Sequence, residues 1–146
     1  MKLNILILAA VLVASMLTAS TADKKPLGGP KGGRLLEKTE PKAEFYLEKD
    51  RTATITFYDA ALKPVPAAAQ SVTLIADAKE GKKTIEFEKK GDSLASKTPL
   101  PEGEGYNVVV QIRPTAQSKP QNFRFKLETH TCGECKRAEY ACICDH

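Results

Sequence analysis

Apolar and polar residues alternate along much of the chain between residues 34 and 128. In one run, Ala53, Ile55 and Phe57 alternate with threonines, whose β-branched side chains favour extended backbone. A period of two places the apolar side chains on one face of a strand and the polar side chains on the other. The other runs are Phe45 and Leu47; Val72, Leu74 and Ala76; Ile85 and Phe87; Leu94; Val108, Val110 and Ile112; and Phe123, Phe125 and Leu127. The pattern predicts half-buried antiparallel strands.

The spacing of the runs predicts the architecture. Turn-forming residues separate them, and about seven or eight strands with turns every 8 to 12 residues or so are typical of an immunoglobulin-like antiparallel β-sandwich. A barrel has a similar pattern, and we favour the sandwich. On this interpretation residues 34 to 128 form the domain, with Glu44, Tyr46 and Glu48 on the polar face of the strand that carries Phe45. Residues 23 to 33 contain many Gly and Pro residues, and we expect a flexible leader there.

The first 22 residues have the features of a signal peptide. Lys2 provides the positive charge, an apolar stretch follows from Ile5 to Ala14, and small residues lie at Ser20 and Ala22. The apolar stretch is shorter than the roughly 20 residues of a membrane-spanning helix, and no second stretch follows it. The sequence therefore predicts export to the periplasm or the extracellular space, with cleavage after Ala22 and no membrane span in the mature protein.

The charge pattern argues against a nucleic-acid partner. The formal net charge is +4 at pH 7, but acidic and basic residues alternate, as in the run from Glu86 to Lys90. Such alternation is typical of a solvated face, whereas nucleic-acid binding favours a basic stripe with stacking aromatic residues.

Candidate chemistry is concentrated in residues 129 to 146, which contain all four cysteines and both histidines. The spacing Cys-x2-Cys-x6-Cys-x-Cys brings four sulfur ligands into a short segment, as in tetrahedral thiolate sites for a metal ion. The predicted ligands are Cys132, Cys135, Cys142 and Cys144, with His130 and His146 as reserve ligands. Sulfur and imidazole ligands favour zinc or copper(I).

Two cations lie inside the cysteine segment. Lys136 and Arg137 are expected to offset the negative charge of a metal bound by four thiolates and to lower the pKa of the thiols.

Disulfide bonds are the alternative interpretation of the same cysteines. Exported proteins meet an oxidising environment, and we expect pairs that run across the segment. These are Cys132 with Cys142 and Cys135 with Cys144, or the crossed arrangement, because neighbouring Cys142 and Cys144 would form a strained bridge.

Catalysis is disfavoured by the setting of these residues. Thiol oxidoreductases place their Cys-x-x-Cys pair at a helix start in a βαβ unit, whereas Cys132 and Cys135 follow a predicted strand. The sequence has no Gly-x-Ser-x-Gly motif, and both histidines lie near its end. We therefore expect no enzyme, and we expect a chain that ends at Glu128 to fold without the tail.

A resemblance to known proteins rests on three stretches. They are Lys31-Gly-Gly-Arg-Leu-Leu, Thr-Phe-Tyr-Asp59-Ala-Ala-Leu-Lys-Pro64-Val and Lys-Thr-Pro-Leu-Pro101-Glu-Gly. Between about Gly29 and Leu127 the chain resembles small exported bacterial proteins with an immunoglobulin-like sandwich, some of which are encoded beside heavy-metal efflux systems. Their Gly-Gly pair is commonly preceded by His, where this chain has Lys31.

The signal-peptide features, the strand pattern and the cysteine tail together predict a function. The chain is expected to be an exported, non-enzymatic protein that binds zinc or copper(I) through its tail, as an accessory to metal handling. Its expected partners are the metal ion and an envelope protein. The alternative is a structural or protein-interaction module of the cell envelope whose tail is closed by two disulfides.

Overall fold

The computed structural model describes residues 27 to 145. The predicted signal peptide, the first four residues of the predicted leader and His146 lie outside this range. In the described range the helical structure is one 3-10 turn, Glu139–Ala141. No helix there is long and apolar enough to cross a membrane.

The described chain is all-β, as predicted. Seven of its ten strands follow the period-two runs, and three short ones lie outside them. Their bounds are β1 Leu27–Gly28, β2 Arg34–Leu36, β3 Lys42–Leu47, β4 Ala53–Tyr58, β5 Pro64–Val65, β6 Ser71–Ala78, β7 Gly81–Lys90, β8 Ser93–Ser96, β9 Tyr106–Arg113 and β10 Gln121–Leu127.

The predicted two-sheet sandwich is wrong. The strands form one antiparallel sheet in the order β1-β2-β3-β4-β8-β7-β6-β9-β10, with β5 paired to β4, and this sheet curls strongly into a half-barrel. The long strand β7 makes the sheet continuous: its first part pairs with β6, up to Glu86 opposite Thr73, and its last part pairs with β8, from Phe87 opposite Ser96. A sandwich would require a break in pairing at this point.

The core lies inside the curl. Ala53, Ile55 and Phe57 of β4 have no exposed surface, as their alternation predicts. Although β3 and β10 are far apart in the strand order, the rings of Phe45 and Phe125 are 5.2 Å apart in an edge-to-face contact. The curl therefore brings the two ends of the sheet face to face over one core.

The described part of the predicted leader differs from a flexible segment. Leu27 and Gly28 pair with Leu35 and Arg34 of β2, and a turn joins the two short strands. The Gly29 N–H donates to the Gly33 carbonyl at 2.9 Å and closes this turn. Residues 27 to 36 form a hairpin at one edge of the sheet.

A buried carboxylate holds the hairpin turn in place. Glu44 was expected on a polar face, yet it is fully buried because the turn covers it. Its oxygens accept hydrogen bonds from the backbone N–H groups of Gly33 at 2.7 Å and Lys31 at 3.0 Å, and from the Tyr58 hydroxyl at 2.8 Å. A Cβ atom at Gly29 would overlap the Glu44 carboxyl group. Glycine at this position is therefore needed for the close approach of turn and carboxylate.

Candidate metal centre

The first two cysteines lie in a tight loop that begins shortly after β10. Thr131 and Ala138 form an antiparallel bridge that closes the loop at its base. Inside it, the Cys132 N–H donates to the Arg137 carbonyl at 2.8 Å, and the Lys136 N–H donates to the Cys132 carbonyl at 3.1 Å. Lys136 has a φ of 60°, so the backbone turns back sharply after Cys135. This turn aims the sulfurs of Cys132 and Cys135 at the same point.

The 3-10 turn brings the second pair of cysteines to the first. The Cys142 N–H donates to the Glu139 carbonyl at 3.0 Å, and the chain is extended at Cys142, with a φ of −64° and a ψ of 135°. Because Cys142 and Cys144 follow directly, their sulfurs face the loop of Cys132 and Cys135.

The four sulfurs form one compact cluster. They lie within 4.8 Å of one another. The Sγ atoms of Cys132 and Cys142 are 3.3 Å apart, those of Cys135 and Cys142 are 3.7 Å apart, and those of Cys132 and Cys144 are 3.9 Å apart. A tetrahedral zinc ion with Zn–S bonds of about 2.3 Å separates its sulfurs by about 3.8 Å. The cluster therefore has the size that one tetrahedral ion requires.

No disulfide bond joins the four cysteines in this structure. Cys132 and Cys142 are buried, whereas Cys135 and Cys144 are half-exposed. One side of the cluster thus faces the protein and the other faces solvent, which gives an ion a route of entry.

Hydrogen bonds divide the thiols into two classes. Backbone N–H groups of Cys135 and Glu134, with the Cys142 thiol, lower the pKa of Cys132 to about 6. The backbone N–H groups of Ile143 and Arg137 lower the pKa of Cys135. N–H donors aimed at sulfur stabilise the thiolate, which is the form that binds a metal ion.

The pKa values of the other two thiols are raised. At Cys142 the N–H of Cys144 lowers the pKa, but burial and hydrogen bonds to the thiols of Cys132 and Cys135 outweigh it. Burial, followed by hydrogen bonds to the other three thiols, raises the pKa of Cys144. The four thiols therefore titrate as one coupled group, and a bound ion would displace their protons.

The two cations of the loop differ from their predicted role. The main causes of the lowered thiol pKa values are the hydrogen bonds just described, and not the side-chain charges of Lys136 and Arg137. The Arg137 guanidinium donates to the carbonyls of Gly29 at 3.2 Å and Gly33 at 3.4 Å. The Lys136 ammonium donates to the Gly133 carbonyl at 2.5 Å. Arg137 thus fastens the tail to the hairpin turn.

The predicted reserve ligands are not part of the described cluster. The cluster contains the four cysteines, and the imidazole Nε2 of His130 lies 4.0 Å from the Glu139 carboxylate instead. His146 is outside the described residues. The geometry thus brings together the four predicted cysteines without His130.

Sequence reasoning missed the residue that anchors the tail. Tyr140 is buried, with its ring 5.5 Å from that of Phe45 and 6.3 Å from that of Phe125. Its hydroxyl accepts a hydrogen bond from the Leu47 N–H at 3.0 Å. Tyr140 and its neighbour Ala141 belong to the same core as the strands. The available signal was the ring itself, because Tyr140 is the one Phe, Tyr or Trp between residues 129 and 146.

In comparisons with known proteins, no protein-family model, curated protein or solved structure matches the chain.

Proposed function

We propose that this is an exported, non-enzymatic protein that binds one soft metal ion, zinc or copper(I), through Cys132, Cys135, Cys142 and Cys144. The observation that carries the proposal is the sulfur cluster, whose members lie within 4.8 Å of one another at separations suited to tetrahedral coordination. Export rests on the signal-peptide features of the first 22 residues.

Four thiolates favour zinc. They complete a tetrahedral shell and leave no open position for a water molecule, which is the arrangement of structural zinc sites and not of catalytic ones. Copper(I) also accepts soft thiolate ligands, so it remains the alternative ion.

A role as an accessory to metal handling in the envelope is the broader form of the proposal. The resemblance to exported proteins encoded beside efflux systems suggests this role, but it also implies a sandwich, and the sheet found is a single curled one. The role therefore depends on the cysteines and not on the fold.

Metal analysis of protein purified without oxygen or chelators tests the proposal. We expect about one zinc or copper ion per chain by native mass spectrometry, and loss of the ion in the Cys135→Ser, Cys142→Ser double variant. His130→Ala is the matched control and should keep the ion, because His130 lies outside the cluster. Four free thiols with no metal, in protein supplied with both ions, would refute the proposal.

Disulfide closure is the second candidate, and the short contact of Cys132 with Cys142 favours it. Their sulfurs are 3.3 Å apart, so a shift of about 1.3 Å would form an S–S bond of about 2.05 Å. In that case the protein would be a structural or interaction module of the envelope. Intact mass before and after thiol alkylation counts disulfides in the same samples that are analysed for metal.

A further inference from the structure

Next to the cysteine loop lies a cleft of about 420 Å³ whose walls come from three distant parts of the chain. The hairpin turn contributes Lys31, β3 and the following turn contribute Tyr46, Lys49 and Arg51, and the tail contributes Lys136, Arg137 and Tyr140. The cleft therefore exists only when the tail is docked on the sheet.

The cleft concentrates positive charge. Five of its side chains are cationic, and one, Glu48, is a carboxylate. Among the described residues, no carboxylate oxygen lies within 4.0 Å of the charged side-chain nitrogens of Lys31, Lys49, Lys136 or Arg137. The fifth cation, Arg51, is 3.9 Å from Glu102, whose side chain is 91% exposed. A concave surface with uncompensated charge of one sign attracts ligands of the opposite sign.

The hydrogen-bonding groups of the cleft indicate which kind of anion fits. A compact phosphate site uses backbone N–H groups that converge on one point. Here the converging N–H groups of Lys31 and Gly33 are already bound to the Glu44 carboxylate. Arg137 and Arg51 direct N–H groups at backbone carbonyls. What remains is a set of lysine charges spread around an open cleft; Lys136 also donates to the Gly133 carbonyl, but its ammonium group has three N–H donors and that bond uses one.

We propose that this cleft binds an acidic segment, rich in Asp and Glu, of a partner protein. Separated ammonium groups match carboxylates that are spaced along an extended chain better than they match one compact anion. Tyr46 adds a ring face beside Lys31, whose ammonium lies 5.6 Å from the ring centroid. The inference goes beyond metal binding and identifies the chemistry of the expected envelope partner.

Binding of a fluorescent oligoglutamate peptide to the full purified protein, followed by anisotropy, tests the proposal. We expect binding that weakens as salt is added, and no binding of the matched oligoglutamine peptide. The Lys31→Gln, Lys136→Gln double variant should weaken binding about fivefold. The control, Lys82→Gln with Lys83→Gln, removes the same charge from exposed positions of β7 and should change affinity less than about twofold.

Four outcomes would overturn the proposal. They are an absence of binding, equal losses in the two double variants, displacement of the peptide by orthophosphate at lower concentration than by free peptide, and tighter binding of a single-stranded oligonucleotide. Equal losses would mean that net charge alone attracts the peptide. The last two outcomes would assign the cleft to phosphate or to nucleic acid. Because metal content is measured separately, failure here leaves the metal proposal intact.

Discussion

Replacing Tyr140 with alanine should show that the cysteine tail is part of the folded core. The Tyr140 side chain is 4% exposed and contacts the rings of Phe45 and Phe125, which belong to opposite ends of the curled sheet. The substitution removes these ring contacts, opens a cavity beneath the tail and leaves the Leu47 N–H without its hydroxyl acceptor.

A second variant separates the contributions of the ring and of the hydroxyl to the expected loss of stability. Loss of a buried aromatic side chain to alanine costs about 3–5 kcal/mol. Tyr140→Phe keeps the ring and loses only the hydrogen bond, so it should cost about 1–2 kcal/mol. The difference between the two variants measures the ring contacts. Because a domain of this size has a total stability of about 5–15 kcal/mol, the alanine substitution should remove at least about a fifth of it.

Urea unfolding followed by circular dichroism measures both values. Ile143→Ala is the control within the tail: its side chain is 45% exposed, and the change should stay within about 0.5 kcal/mol. A cost below about 1 kcal/mol for Tyr140→Ala would refute the reasoning. Such a result would favour the expectation that a chain ending at Glu128 folds independently, whereas a large cost would favour destabilisation of that chain through loss of buried Tyr140.

Three further predictions concern the hairpin turn and the cysteine loop. Glu44→Ala should cost about 3–5 kcal/mol in urea unfolding, because two backbone N–H groups and a hydroxyl lose their charged acceptor. Hydrogen exchange should rise at the N–H groups of Lys31 and Gly33. Gly29→Ala should destabilise by about 1–3 kcal/mol through overlap with that carboxyl group, while Gly133→Ala, which has open space, should be nearly neutral. Lys136→Gly should stabilise the protein by about 1 kcal/mol, because glycine adopts the left-handed backbone conformation of this position without strain. Lys136→Ala is the control, since it removes the same charge and keeps the strain. Equal melting temperatures for the two variants would contradict the strain argument.

The strands were predictable because their signal is local. Each run of alternating residues determines which side chains are buried, and Val108, Val110 and Ile112 lie in the core as expected. The alternation predicted the wrong burial for Glu44. A strand face that carries polar residues can still be buried when another segment of the chain covers it. Covering depends on the hairpin turn, which lies outside the alternating run that contains Glu44, 11 to 13 residues before it.

The arrangement of the strands was not predictable from the same signal. A sandwich and a curled sheet use identical alternation, and they differ in whether a strand changes partners along its length. Strand β7 does so between Glu86 and Phe87. Nothing in the alternation of its residues marks the change, because both halves of the strand continue the same period.

The candidate site divides in a similar way. The cysteine spacing predicts the cluster because four ligands within a short segment can converge through local turns alone. The roles of Arg137 and Tyr140 depend on Gly29, Phe45 and Leu47, which lie far away in sequence. The position of Arg137 beside the cysteines suggested an electrostatic role. In the structure its guanidinium instead donates hydrogen bonds that hold the tail against the hairpin turn.

The division between local and distant contacts suggests how the tail is organised energetically. All four thiols lie between Cys132 and Cys144, so an ion can gather them while closing only a short loop, at a low entropic cost. Docking is a separate step, because Tyr140 must reach Phe45 and Arg137 must reach the hairpin turn. An ion that orders the loop removes part of the entropy that docking would otherwise cost. Metal binding and completion of the core should therefore reinforce each other, although no core residue is itself required as a ligand.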